Sequence, residues 1–253
     1  MKATDRCPFG GGGVVDRFRH HEQSTARFRN LVSPDGVIKT GRNPSADVHY
    51  LHGRFTTFGT MGLSHVGFRA AKPATEEDEP DPLSPGIARA RTEENVEALA
   101  SIGVRATMIR LAPSVHGDGD TGLVPQLIGI ARKNGRFACV GDGQNRWPAV
   151  HRRDAARLFR LALEKGVAGA RYHGVADEGI PFRSIAEIIG RQLGIPVESI
   201  SVKDAGKSFS WFGDFAATDN PSSSLVTRQQ LGWEPTEQGL LADLNGPSYF
   251  VSK

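Results

Sequence analysis

The sequence is poor in cysteine, lacks long apolar runs, and over most of its length carries no surplus of either charge. Only Cys7 and Cys139 occur among 253 residues. That excludes a disulfide framework or a paired metal-knuckle spacing, and makes a reducing, cytoplasmic compartment the expectation. No stretch approaches the roughly eighteen consecutive apolar residues of a membrane-spanning helix, so no membrane association is expected. The N-terminus carries Asp5, Arg6 and the run Gly10 to Gly13 where a secretory leader would have an apolar core.

The formal charge of +3 comes from one place. Residues 1–50 hold eight Lys/Arg against five Asp/Glu, and the remainder holds 23 of each. A nucleic-acid footprint would need clustered basic residues with interleaved aromatics on one face. Arg17, Arg19, Arg27 and Arg29 around Phe18 and Phe28 are the sole trace of one, so no nucleic-acid partner is expected.

What is present divides into two textures. Residues 1–53 show neither helical nor strand periodicity and read as an irregular or disordered segment. From Arg54 onward the alternation of a layered α/β protein begins. Residues 55–63 read as a strand, and the acidic, proline-rich stretch 73–85 reads as a loop or linker. A helix follows from Thr92 to a stop at Gly103, then a strand over 104–111. The spacing predicts a helix over 123–134 closed by Gly135, a strand over 137–140, and a helix capped by Asp154 and closed by Gly166. A strand over 170–175 comes next, then a helix that opens on a Ser184/Glu187 capping box and ends at Gly194. Residues 197–202 read as a strand, and a short helix lies near 239–244. The fold class is therefore α/β: an incomplete parallel sheet over residues 54–253 with a smaller C-terminal lobe, and no internal repeat.

One formal nucleotide motif exists. Gly117-Asp118-Gly119-Asp120-Thr121-Gly122 satisfies G-x-G-x-x-G after a strand and before a helix, with Asp142 twenty residues on. Chemistry speaks against it. The motif works by turning backbone N–H groups and a helix N-terminus toward a pyrophosphate, and Asp118 and Asp120 would repel that anion. Pro113 to His116 also separate the strand from the first glycine. A calcium loop would need further ligands and a distal Glu, so no metal site is assigned. Gly10 to Gly13 fails as well, because Val15 and Asp16 stand where a third glycine should fall.

Three stretches in register resemble the extended short-chain dehydrogenase/reductases, in particular the atypical members labelled NAD-dependent epimerase/dehydratase. Arg110-Leu111-Ala112-Pro113-Ser114-Val115-His116-Gly117-Asp118-Gly119 is similar to the family's R-L-x-x-V-Y-G-P-G loop, with His116 where tyrosine is common. Val140-Gly141-Asp142-Gly143 with Val150-His151-Arg152-Arg153-Asp154-Ala155-Ala156 resembles its G-D-G … V-H-x-x-D-x-A segment. Leu231-Gly232-Trp233-Glu234-Pro235 with Gly239-Leu240 resembles its closing L-G-W-x-P … G-L element. The resemblance implies a Rossmann-like sheet, NAD or NADP as cofactor, and a small carbonyl, sugar or steroid-like substrate.

Carried over residue by residue, it puts the cofactor against Pro113, Ser114 and Val115, and the substrate against Arg146, Trp147 and His151. Arg146 falls one place short of an arginine that grips substrate phosphates, and the alternative for it is a solvated loop charge. For His151 and Asp154 the spacing favours structural roles, Asp154 as a helix cap, over a base and its orienter. His116, in a loop at the C-terminal end of a strand, is the better-placed candidate for chemistry. The family's Tyr-x-x-x-Lys pair falls at Gly86 and Ala90, neither of which can carry a proton. Its carbonyl-polarising Ser/Thr falls near residues 57–60, with Thr57 and Thr60 conceivable and Gly59 nearest the expected place.

The first βαβαβ half, with its glycine-rich phosphate turn, is not recognisable before Arg54. Unpaired central strands would expose apolar edges, which suggests a truncated product or a homodimer that covers them. Two readings stay open: an atypical NAD(P)-dependent oxidoreductase or epimerase, and a non-catalytic ligand-binding module or remnant of that family.

Overall fold

A computed structural model describes residues 56–62, 72–81 and 90–250 of the chain. The segment 1–53, and Gly86 with it, lies outside the described residues.

Strand β1 (Thr56–Gly62) pairs in parallel with β2 (Arg105–Leu111), which pairs in parallel with β6 (Arg171–Gly174). Helix α1 (Ala90–Ser101) leads into β2. The centre of β2 is apolar and buried because Ala106, Met108 and Ile109 fill it, as expected of a strand with cover on both faces.

Beyond β2 the chain leaves this sheet for a second layer. Strand β3 (Ser114–His116) pairs in parallel with β5 (Arg146–His151), and β5 pairs antiparallel with β7 (Asp177–Pro181). Between them come α2 (Leu123–Asn134) and β4 (Phe137–Val140), and β4 pairs in parallel with β8 (Val197–Ile200). Helices α3 (Arg152–Lys165) and α4 (Phe182–Leu193) follow β5 and β7 directly. The C-terminal part is built of short helices: α5 (Ala205–Phe209), α6 (Gly213–Ala216), α7 (Leu225–Leu231) and α8 (Leu240–Asn245).

Two cores result. One joins Ile109, Val150, Leu158, Tyr172 and Trp233 under the parallel sheet. The other is aromatic: Trp147 stacks edge-on against Phe182 and Phe212 at 4.6 and 5.3 Å, and Phe137 and Phe209 complete the cluster. Aromatic pairs in such geometry contribute about 0.5–1.5 kcal/mol beyond their burial.

Helix ends follow the glycines. Gly135 and Gly194 close α2 and α4 in the left-handed conformation, at φ 62° and 66°. Two expected helix starts are corrected. Helix α3 begins at Arg152, and its cap is His151, whose Nδ1 accepts the Arg153 N–H. Asp154 lies inside the first turn, fully buried, and its carboxylate accepts the N–H groups of Thr236 and Glu237 from the C-terminal segment. Helix α4 begins at Phe182 after Pro181, without a side-chain cap, so Ser184 and Glu187 form no capping box. Its first two N–H groups, of Phe182 and Arg183, are taken by Asn145 O and Gly143 O, each at 2.9 Å.

The acidic stretch 73–81 is an ordered loop tied into the body. Thr75 N–H donates to Asp78, Ala74 N–H to Pro221 O, and Glu79 holds Arg171. Glu76 is buried and accepts the Thr227 N–H at 2.8 Å, so it caps α7 from 151 residues away.

Candidate functional site

Strand register makes the site. His116 and His151 are Cα partners at the ends of β3 and β5, and their rings meet edge to face at 5.4 Å. Gly117 lets the two strands close on each other: its φ is +133°, and a Cβ there would stand 2.7 Å from His151 Nε2. Only glycine fits.

Into this corner α8 brings Asp243. Its Oδ2 lies 2.5 Å from His116 Nδ1 and 4.0 Å from His151 Nε2. A carboxylate only accepts, so the pairing puts the His116 proton on Nδ1 and leaves Nε2 a lone pair. His151 is set the other way, because its Nδ1 accepts from Arg153, and Glu237 stands 3.9 Å from that nitrogen. Burial pushes the His116 pKa below its ordinary value, and the bond to Asp243 offsets part of that. Tyr249 closes the corner: its hydroxyl accepts the Gly117 N–H at 2.9 Å and donates to Asp120 at 3.1 Å. Burial holds that phenol protonated, well above the ordinary tyrosine range.

The loop with G-x-G-x-x-G spacing has no free donors for a phosphate at either end. Gly117 N–H goes to Tyr249, and Gly122 N–H goes to Asp120 Oδ1 at 2.5 Å.

Of the other candidates, Pro113, Ser114 and Val115 lead along β3 into this corner, and the rest lie apart from it. Arg146 and Trp147 are at the opposite end of β5. The Arg146 guanidinium forks onto Asp219 at 3.1 and 2.8 Å, and Trp147 is 4% exposed with its indole N–H on Thr218 O. Pro113 and Val115 are half-buried where the chain passes from β2 into β3, and Ser114 is buried. Thr57 and Thr60 sit on β1 opposite Ala106 and Ile109, in the other sheet. Ala90 opens α1 as a buried apolar residue.

Asp243 and Tyr249 are functional candidates that the motifs do not mark. Asp243 had a readable signal: it shares the buried face of α8 with Leu240 and Leu244, where an acid has to be paired. Among the described residues no group of His, Cys, Asp and Glu is arranged to hold a metal ion, and no helix is long and apolar enough to cross a membrane.

Residues 52–175 match the NAD dependent epimerase/dehydratase family. An uncharacterised protein of Schizosaccharomyces pombe is 51% identical over 166 residues, 66% of this chain and 56% of that protein. One from Saccharomyces cerevisiae is 47% identical over 188 residues, 74% of this chain and 61% of that protein. The chain thus spans little more than half the length of these relatives. Among solved structures, a dTDP-glucose 4,6-dehydratase of Streptomyces venezuelae with NAD bound aligns over 95% of this chain and 70% of its own. Its TM-score is 0.65 at 18% identity, a likeness of fold. The parallel sheet and the shared fold agree with the sequence match, which marks residues 52–175 as a domain similar to the NAD dependent epimerase/dehydratase family.

Proposed function

We propose that this chain belongs to an NAD(P)-dependent oxidoreductase or epimerase acting on the hydroxyl or carbonyl of a small molecule, with sugar and steroid-like compounds as the substrate classes. The observation that carries the reading is the carboxyl edge of the parallel sheet. There β2 ends, and the chain turns through Pro113, Ser114 and Val115 into the corner of His116, Asp243 and His151. Open parallel sheets bind their ligands at that edge. Support also comes from the family match, from the solved dehydratase with NAD, and from a 2-alkyl-3-oxoalkanoate reductase of Stenotrophomonas maltophilia, 33% identical over 118 residues, 44% of this chain and 34% of that protein.

The described residues suit the nicotinamide end of such a cofactor. The stretch Ala112 to Val115 carries no acidic group, and its buried Ser114 hydroxyl has no protein partner. They do not suit the pyrophosphate, since the donors of Gly117 and Gly122 are taken. Pro113, Ser114 and Val115 would hold the nicotinamide through their backbone, leaving the Ser114 hydroxyl to the substrate oxygen beside it, and the group when bound accepts or returns a hydride. The chain's own part is to seat the substrate oxygen and to hold a proton, and His116 is the group proposed for the latter.

The test is titration of the full chain with NADH and NADPH, followed by energy transfer from its tryptophans. Saturable binding at micromolar concentration of either supports the reading. No binding at millimolar concentration overturns it in favour of a ligand-binding module without cofactor.

A further inference from the structure

Buried polar atoms in folded proteins nearly always have a hydrogen-bond partner. Among the described residues five side-chain atoms do not: Glu76 Oε2, Thr107 Oγ1, Ser114 Oγ, His116 Nε2 and Asn145 Oδ1. Three of these stand singly, each on a side chain fixed by its other atoms. Glu76 uses its other oxygen twice on Thr227, and Asn145 uses its amide nitrogen on Ala216 O and Thr218 O. Thr107 is packed on Gly166, where a Cβ would meet its methyl at 3.0 Å.

Ser114 and His116 are different. They are alternate residues of β3, so their side chains leave the strand on one face, roughly 7 Å apart at the backbone. Both are buried, and each presents its terminal polar atom without a partner. The two atoms are chemically complementary. A serine hydroxyl can donate or accept, and His116 Nε2 is an acceptor because Asp243 holds the proton on Nδ1. The surroundings select against an anion: Asp243 contacts the imidazole, Asp120 contacts Tyr249, and Asp177 adds its negative potential at His116. Arg152, along Gly117 and Gly119, is exposed.

We propose that Ser114 Oγ and His116 Nε2 form a two-point subsite for a neutral oxygen function, an alcohol or its ketone, with Asp243 as the positioning residue that fixes the imidazole tautomer. The proposal rests on the family-level reading above and supplies a proton acceptor where Gly86 and Ala90 have none. An alcohol donates its O–H to Nε2 and accepts from Ser114, and a ketone accepts from Ser114. The contacts of Tyr249 with Gly117 and Asp120 keep the corner shut, so the segment after α8 has to yield for a ligand to enter.

The experiment is a titration of the full chain, labelled with 15N-histidine, at pH 8 with cyclohexanol, with sodium acetate as the anionic comparison. Long-range proton–nitrogen spectra report each imidazole nitrogen. The expected result is a saturable shift of His116 Nε2 with cyclohexanol, weakened about five- to tenfold in Ser114→Ala, as for one lost hydrogen bond. In Asp243→Leu, which removes the acceptor and keeps the volume, the two His116 nitrogens lose their fixed tautomer, a change that a purely space-filling Asp243 would not produce. Ser114→Ala removes one hydroxyl and keeps the test open if Asp243→Leu does not fold. No saturable shift, an equal shift in Ser114→Ala, or a shift with acetate in place of cyclohexanol overturns the proposal. NADH titration of the same sample separates the readings: NADH binding without an alcohol response sinks the subsite alone, and loss of both sinks the family reading too.

Discussion

Among the described residues two histidines lie fully buried, and the protein treats them in opposite ways. His173, on β6 of the parallel sheet, has both ring nitrogens engaged. Its Nδ1–H donates to Ser223 O at 2.8 Å, and its Nε2 faces Arg110 Nη1 at 3.4 Å. Arg110 in turn forks onto Glu93 at 2.7 Å through two N–H groups and donates to Asp78 O, and Arg171 reaches the same Glu93 at 3.2 Å. Every member of that network is matched with another. His116 in the neighbouring layer has one nitrogen tied to Asp243 and the other unmatched. The contrast teaches that burial alone does not show how far a histidine is engaged by the fold. What shows it is whether the second nitrogen has a partner.

The comparison breaks first at Arg110. Arg110→Met leaves Glu93 with a buried charge and strips His173 of its neighbour, and it should lower stability by about 3–5 kcal/mol. Urea unfolding measures this, and a loss under about 1 kcal/mol would show that the matched network is no firmer than an exposed ion pair.

A pH series sharpens the contrast next. Burial, with Arg110 nearby, lowers the His173 pKa to about 3, against about 6.5 unfolded. The unfolded chain therefore binds a proton that the folded chain refuses, and stability falls as pH drops below about 6.5. Between pH 7 and pH 5 the loss is about 2 kcal/mol from this residue. Denaturation midpoints of the native chain and His173→Gln should converge over that interval, and parallel curves would refute the assignment.

The smallest effect belongs to the cap. Glu76→Ala should cost about 1–2 kcal/mol, because the Thr227 N–H and hydroxyl lose their acceptor. A neutral result would return the acidic stretch to the solvated linker that its composition suggests.

Much of the frame could be read from residue order. Gly135 and Gly194 announce their helix ends because the left-handed cap is a local demand on one residue. Strand 137–140 was legible for its short apolar run, and the three family motifs pointed to the parallel sheet. What stayed hidden depends on distant partners. Strands β3 and β7 and the pairing of β5 have three to six residues each and exist through their neighbours. Asp154 looks like a cap from its own helix and proves to be an anchor for residues 236 and 237. The candidate site divides in the same way. His116 draws notice from its place after a strand, but its partner Asp243, 127 residues further on, comes into view only when α8 packs.

The reach of Glu76 has a consequence for how α7 is held. Its bond to Thr227 closes a loop of 151 residues, an entropic cost of roughly 4 kcal/mol for a flexible chain. Helix α7 has seven residues, too few to hold helical structure in isolation. Its cap therefore does not sit beside it along the chain but comes from 151 residues away, so the helix and the loop that caps it hold their form only together.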